Sequence, residues 1–391
     1  MVDTVSEPEG PFVYLVAGEP SGDLLGGRLM AALSRLTAGQ VRYCGVGGPE
    51  MAAEGLTSLF PMSDLSVMGI VEVLPKLPRL LARISEVVND VKARKPDVVV
   101  TIDAPDFSFR VAKRLQGTGI PVVHLVAPTV WAWRPGRARK IARFLDHILC
   151  LFPFEPPYFE KEGLAATFVG HSVVESAAVD ADGAGFRQRH HISADTPLLA
   201  VLPGSRLGEV KRHLPVFRDT VELMRREFPH LQIVSVTTGP VSELVKSAMS
   251  SWSVPTRVID QNSEKYEAMA AADVALAASG TVALELGVVG TPAIIAYQVN
   301  PLTAWIGRRL VTAKYANLIN ILLDREVVPE RLVDQCRADI LAPELSRLLR
   351  QPDAQALQRD GYKKALSMLS AGAVAPSQKA AETILQVIKD R

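Results

Sequence analysis

The sequence predicts two doubly wound α/β domains, each built on a parallel sheet. Three observations carry that prediction. Short β-branched runs alternate with longer amphipathic stretches along almost all of the 391 residues. The runs are nearly all apolar and bounded by Gly, Pro or Asp, which is how strands read when helices cover both faces. The alternation breaks once, near residue 180, and then restarts in the same form.

In the first half the expected strands are FVYLVAG (12–18), VRYCGVG (41–47), DVVVTID (97–103), PVVHLVA (121–127) and HILCLF (147–152). Helical stretches such as DLLGGRLMAALSRL (23–36) and FRVAKRLQ (109–116) fall between them. Residues 175–197, ESAAVDADGAGFRQRHHISADTP, lose the apolar rhythm and read as a linker after a first domain of residues 1–174. The second domain, 198–355, carries LLAVLPG (198–204), QIVSVTT (232–238), TRVID (256–260), DVALAAS (273–279) and PAIIAY (292–297). The tail, 356–391, is helical by periodicity and is expected to cross the domain junction. Ligands bind beyond the carboxyl ends of strands in such sheets. With two Rossmann-like domains, the interdomain cleft is the expected active site.

Composition narrows the function classes. The net charge is +1 and no basic stripe is interleaved with aromatics, so nucleic acid is not an expected partner. The N-terminus, MVDTVSEPEGP, is acidic and carries proline, unlike a secretory signal. No apolar run reaches the roughly 18 residues that a membrane span needs. Cys44, Cys150 and Cys336 are widely separated and odd in number, which reads as buried thiols in a reducing cytosol. A soluble cytoplasmic protein is the base expectation. No metal site is expected. Asp180-Ala181-Asp182 lies in the linker rather than at a strand tip, and His190 and His191 are adjacent. His124 and His171 read as histidines satisfied at strand ends.

Four segments carry the candidate chemistry. TIDAPDFSF (101–109) sets Asp103 and Asp106 at a strand tip, either as caps for the next helix or as a proton acceptor. VAGEPSGDLLGG (16–27) turns from strand to helix without G-x-G-x-x-G, which disfavours a dinucleotide oxidoreductase. Its Glu19 is placed to polarise a hydroxyl or simply to be solvated, and Ser21 and Asp23 read as N-caps. In LPGSRLGEV (202–210), Gly204 and Ser205 give backbone approach to an anion, and Arg206 offers a fork for a diphosphate or a structural ion pair. In ASGTVALELGVVGTP (278–292), Ser279, Gly280 and Thr281 open a helix as a second anion seat. Glu285 lies one turn inward, suited to vicinal hydroxyls or to a capping arrangement. Two diphosphate-suited loops in one domain point to a nucleotide-sugar donor.

LSVMGIVEVLPKLPRLLARI (65–84) is unusually apolar and carries Lys76, Arg79 and Arg83. It reads either as a buried loop and core helix or as a patch that meets lipid, with its cations facing phosphates. NPLTAWIGRRLVTAKY (300–315), with Trp305 and Arg308-Arg309, is a second basic amphipathic stretch.

Taken together, the motifs VAGEPSGD, GVGGPEM, SVMGIVEVL, IDAPDF, PTVWAWR, FPFE, FVGH, LPGSR, SGTVALE and LINILLDREVVPERL (318–332) resemble the lipid-A-disaccharide synthases. The resemblance covers nearly the whole chain in the expected order. It implies a GT-B fold and transfer of 2,3-diacylglucosamine from UDP-2,3-diacylglucosamine to the 6-hydroxyl of 2,3-diacylglucosamine 1-phosphate. It implies inversion in one displacement, no cofactor and no metal. Asp103 is then the base and Asp106 the helix cap. Glu19 contacts a sugar, Arg206 the diphosphate, Ser279, Gly280 and Thr281 the phosphates, Glu285 the ribose, and Asn320 faces the cleft. Val67, Met68, Val73 and Leu74 become the lipid contacts of a peripheral protein on the cytoplasmic face of the inner membrane. A homodimer with exchanged C-terminal segments is compatible with the family. Pro20 and Ser108 depart from other members, and neither is expected to touch the chemistry.

Overall fold

A computed structural model describes residues 10–65, 70–133, 136–237, 239–260, 262–278, 280–300 and 314–391, leaving aside the side chains of 70–77, 240 and 262. The chain forms two compact units. One runs to Ser172 and includes Leu369–Arg391; the other is Val173–Met368.

The first unit contains strands β1 (Phe12–Ala17), β2 (Arg42–Val46), β3 (Val98–Ile102), β4 (Val122–Leu125), β5 (His147–Cys150) and β6 (Ala165–Phe168). All neighbours are parallel, in the order β2-β1-β3-β4-β5-β6. Its helices are α1 (Pro20–Leu36), α2 (Pro49–Ala53), α3 (Ile70–Arg94), α4 (Pro105–Leu115), α5 (Arg137–Ile141) and α6 (Pro156–Glu160). β3 reads VVVTI and is buried at every residue, as a strand covered on both faces must be.

The second unit repeats the plan. Strands β7 (Leu198–Leu202), β8 (Gln232–Val236), β9 (Thr256–Ile259), β10 (Val274–Ala277), β11 (Ala293–Tyr297) and β12 (Glu330–Leu332) pair in parallel as β12-β11-β10-β7-β8-β9. Around them lie α7 (Gly183–Arg189), α8 (Leu207–Glu227), α9 (Ser242–Met249), α10 (Lys265–Ala271), α11 (Val282–Val289), α12 (Leu318–Leu323), α13 (Ala338–Arg350) and α14 (Pro352–Met368). The last helix, α15 (Pro376–Lys389), belongs to the first unit and packs on α1.

Every expected strand is present. β6 and β12 were not expected: β6 is exposed or half-buried throughout, and β12 is three residues of mostly polar side chains. The 175–197 segment is folded rather than a linker. It forms α7, which packs on α10, and Arg187 binds the Ala271 carbonyl and the Asp273 carboxylate. The tail divides, since α14 packs on α11 and α12 while α15 packs on α1.

Three sequence-level caps resolve differently. Asp23 does not cap its own helix. It is buried, and its carboxylate accepts from the backbone N–H groups of Gly48, Glu50 and Met51 at 2.8, 3.0 and 3.1 Å. It thereby caps α2, whose own N-cap residue, Gly48, has no side chain to do so. A Cβ on Gly48 would lie 2.5 Å from Asp23 Oδ2, which is why that position is glycine. Asp106 is not a cap either. Ala104 holds the N-cap position of α4, and Asp106 sits exposed in the first turn, where a negative charge still favours the helix dipole. Ser21 lies inside α1 and turns towards Asp103.

Removing the Asp23 carboxylate leaves three backbone donors without their acceptor. Asp23→Ala is expected to destabilise the protein by about 3 kcal/mol. Asp23→Asn keeps one accepting oxygen and is expected to cost roughly half as much, with urea unfolding as the measurement.

Candidate active site

In the first sheet the strand order reverses between β1 and β3; in the second it reverses between β7 and β10. Loops leaving a reversal point part in opposite directions and leave a crevice beyond the strand ends. The four candidate segments that carry polar chemistry leave these four strands.

At the first reversal, Asp103 follows β3 with φ +51° and Ala104 follows with φ +44°. Two successive non-glycine residues in the left-handed region cost energy that surrounding structure must over-determine. Here the Asp103 N–H donates to the Leu125 carbonyl at 3.0 Å, and Ser108 Oγ donates to the Asp103 carbonyl at 2.7 Å. Ser21 Oγ, from the first turn of α1, donates to Asp103 Oδ2 at 2.9 Å. The carboxylate is thus aimed by a serine, and its backbone is pinned on both sides. Ser108 therefore does bear on the candidate base, contrary to expectation, because the helix start places it under the Asp103 carbonyl. Glu19 is half-buried at the end of β1, at the N-cap position of α1. The next strand tip is also strained, with Val126 at φ +82°.

At the second reversal a cavity of about 610 Å³ is lined by Gly204, Ser205, Arg206, Gly280, Thr281 and Glu285, together with Thr237, Lys265 and Tyr297. Its size suits a nucleotide-scale ligand. Gly204 has φ +117°, and a Cβ there would meet Glu209 Oε2 at 3.0 Å. Arg206 is ion-paired with buried Glu209 at 3.0 Å, and Tyr297 donates to the same carboxylate at 2.9 Å. Most of the guanidinium side chain nevertheless remains exposed. Thr281 makes no side-chain cap of α11. Glu285 accepts from Lys265 Nζ at 2.7 Å and Tyr266 Oη at 3.3 Å. Sequence reasoning missed Glu209, Lys265 and Tyr297. The signal available was an acid one turn into the helix after LPGSR.

With that geometry in view, the comparisons with known proteins are decisive. The family model for lipid-A-disaccharide synthetase matches residues 13–384. The chain belongs to that family. The lipid-A-disaccharide synthase of Rhodospirillum centenum is 53% identical over 97% of this chain and 95% of that protein. The one from Paramagnetospirillum magneticum is 49% identical over 96% and 97%. Among solved structures, S. aureus MnaA in a co-structure with UDP matches with TM-score 0.64 at 12% identity, covering 97% of this chain and 96% of that one. Acinetobacter baumannii MurG matches with TM-score 0.60 at 15% identity, covering 96% and 99%. At such identities these structures establish the fold, which is GT-B.

Ser279, Val67 and Met68 lie outside the described residues, as do Trp305, Arg308 and Arg309. Val73 and Leu74 lie in α3, with side chains outside the description. Arg83 does not face outward: it binds Asp64 at 2.7 Å, pairs with Glu86 and lies over the Phe60 ring. Arg79 pairs with the same Asp64 at 2.7 Å. Asn320 does not line the cavity. It is fully buried, with Nδ2 donating to the Val328 carbonyl and Glu330, and Oδ1 accepting from the N–H groups of Val327 and Val328. These bonds consume the amide in folding the segment before β12. Asp182 caps α7 through the Gly185 N–H, and His190 pairs with Glu264 at 3.1 Å. All three cysteines are buried thiols. His124 is only half satisfied: Nδ1 meets Thr101 Oγ1 at 2.8 Å, while Nε2 has no partner among the described residues. Burial pushes its pKa down to about 3. No helix among the described residues is long and apolar enough to cross a membrane.

The motifs VWAWR and FPFE meet at Glu155. This buried acid accepts from the indole N–H of Trp131 at 3.2 Å and from the N–H groups of Leu151 and Phe152 at 3.1 and 3.0 Å. Burial pushes its pKa up to about 7 against the pull of those donors. The folded value lies above the ordinary glutamate range near 4.3, so the stability it contributes is present below that range and is lost as pH rises through about 7. Stability is expected to fall by roughly 3 kcal/mol across that window on account of this group. Glu155→Gln is expected to remove that part of the slope, read from urea midpoints at intervals from acid to neutral pH.

Proposed function

We propose that the protein transfers 2,3-diacylglucosamine from UDP-2,3-diacylglucosamine to the 6-hydroxyl of 2,3-diacylglucosamine 1-phosphate. The observation that carries the reading is family membership over nearly the whole chain, joined to a pinned carboxylate at one reversal point and a nucleotide-sized cavity at the other. A nucleotide-sugar epimerase is not favoured, because likeness to epimerases shows only the fold, whereas the relatives at 49–53% identity are named synthases.

In this reading Asp103 accepts the proton of the acceptor 6-hydroxyl as that oxygen bonds the donor's anomeric carbon. The bond from that carbon to the diphosphate oxygen breaks on the opposite face, so an α donor gives a β-1,6 linkage and UDP departs. Ser21 keeps the accepting oxygen in place through its hydroxyl. Arg206 and the helix start at Gly280 and Thr281 stabilise charge on the departing diphosphate. Ser279 is assigned to the same seat. Glu285, whose charge Lys265 balances, takes the ribose hydroxyls, and Glu19 contacts a sugar. In this reading the enzyme works at the cytoplasmic face of the inner membrane, where its lipid substrates would lie, with Val67, Met68, Val73 and Leu74 as acyl or membrane contacts. A homodimer remains part of the proposal.

UDP release from UDP-2,3-diacylglucosamine, with and without the acceptor and in EDTA, is the deciding assay. Release is expected only with acceptor and is expected to survive EDTA; release indifferent to acceptor sinks the transferase reading. Asp103→Asn is expected to lower kcat by about 10²–10⁴-fold while leaving UDP affinity unchanged. Ser21→Ala, which only loosens the carboxylate, is expected to cost about tenfold in kcat.

A further inference from the structure

Helix α8 presents Glu209 and His213 to the cavity loops from one face, four residues apart. Glu209 serves Arg206 and Tyr297. His213 serves the backbone. It is fully buried, and both of its ring nitrogens are engaged. Nδ1 lies 2.7 Å from the Pro203 carbonyl oxygen, and Nε2 lies 2.9 Å from the backbone nitrogen of Gln298. A carbonyl only accepts and an amide N–H only donates, so the ring is neutral with its proton on Nδ1. Phe217 stacks on it at 5.5 Å and Tyr297 packs at 5.1 Å, which fixes the ring plane.

The two backbone groups it joins have no other direct tie through the sheet. Pro203 leads into Gly204, Ser205 and Arg206 after β7, whereas Gln298 follows β11. Strand β10 lies between those two strands, so no ladder hydrogen bond links their ends. The imidazole bridges that gap beneath the cavity.

We propose that His213 is a positioning residue for donor binding: its neutral ring holds the Pro203–Arg206 loop at a fixed spacing from the end of β11. It thereby sets affinity for the UDP portion of the donor without touching it. Burial keeps its pKa below the ordinary imidazole value, with Glu209 pulling it up and Arg212 pushing it down, so the ring stays uncharged at neutral pH. The proposal rests on reading this cavity as the seat of UDP.

The test is UDP binding by calorimetry, together with steady-state kinetics and melting temperature, on the full chain and on two variants. His213→Phe keeps the ring volume and removes both bonds. Its UDP Kd and donor KM are expected to rise about tenfold, with kcat at saturating donor within about threefold of wild type. His213→Gln can renew one bond, and its Kd is expected to rise only about threefold. If the Phe variant does not fold, the Gln variant decides by the same measure. Wild-type Kd in the folded variants, or a loss confined to kcat, overturns the role of His213. Failure of the unmutated chain to bind UDP overturns the donor-cavity reading itself, and the inference with it.

Discussion

Parallel strand pairing with one reversal of order per sheet is the constraint on which the rest of the molecule depends. Because β3 lies beside β1 while β2 lies on its other side, the connections after β1 and β3 must leave in opposite directions. The same holds for β7 and β10. Each reversal leaves strand ends whose next residues are not drawn into a ladder. Polar side chains can occupy that space without being buried unpaired. Asp103 and the cavity around Arg206 follow from this placement more than from any property of those residues taken singly.

Holding loops in place at such an edge requires bonds that the ladders do not supply. The protein meets that need with buried polar groups spent chiefly on backbone, with the Trp131 indole added at Glu155 and the Glu330 carboxylate at Asn320. Asp23 takes three N–H groups of the GGPEM turn, and Glu155 takes two from the loop after β5. Asn320 uses its whole amide on residues 327–330, and His213 joins two loops. An unpaired buried polar group is costly, so each of these sites has essentially one arrangement that satisfies it. The strained tips of the first unit are held by bonds of their own: the Asp103 N–H on the Leu125 carbonyl, the Ser108 hydroxyl on the Asp103 carbonyl, and the Val126 N–H on the Leu149 carbonyl.

Much of this was legible in the chain. All ten strands expected from apolar runs are present, because a strand covered on both faces must be continuously apolar. The segments VAGEPSGD, IDAPDF and LPGSR each leave a strand end, as their place after an apolar run predicts, and β10 likewise leads towards α11. The short edge strands β6 and β12 were not legible, since an exposed or three-residue strand carries no such run. Asn320 read as a ligand because a polar residue in a distinctive motif looks the same whether it faces a substrate or the protein's own backbone. Ser21 and Asp23 read as caps of their own helix for a related reason: local spacing says which residues start a helix, not what else lies within reach.

The sequence by itself determined the fold class, the family and the strand ends at which chemistry is placed. These are properties of local pattern and of motif order along the chain. The tertiary structure alone decided the partners: Ser21 with Asp103, Glu209 with Arg206 and Tyr297, Lys265 with Glu285, His213 with Pro203 and Gln298. Of these pairs, Ser21 with Asp103, Glu209 with Tyr297 and His213 with Gln298 are separated by more than eighty residues. Only the pairing order of the strands brings such residues within hydrogen-bond distance, and that order is not written in any single segment.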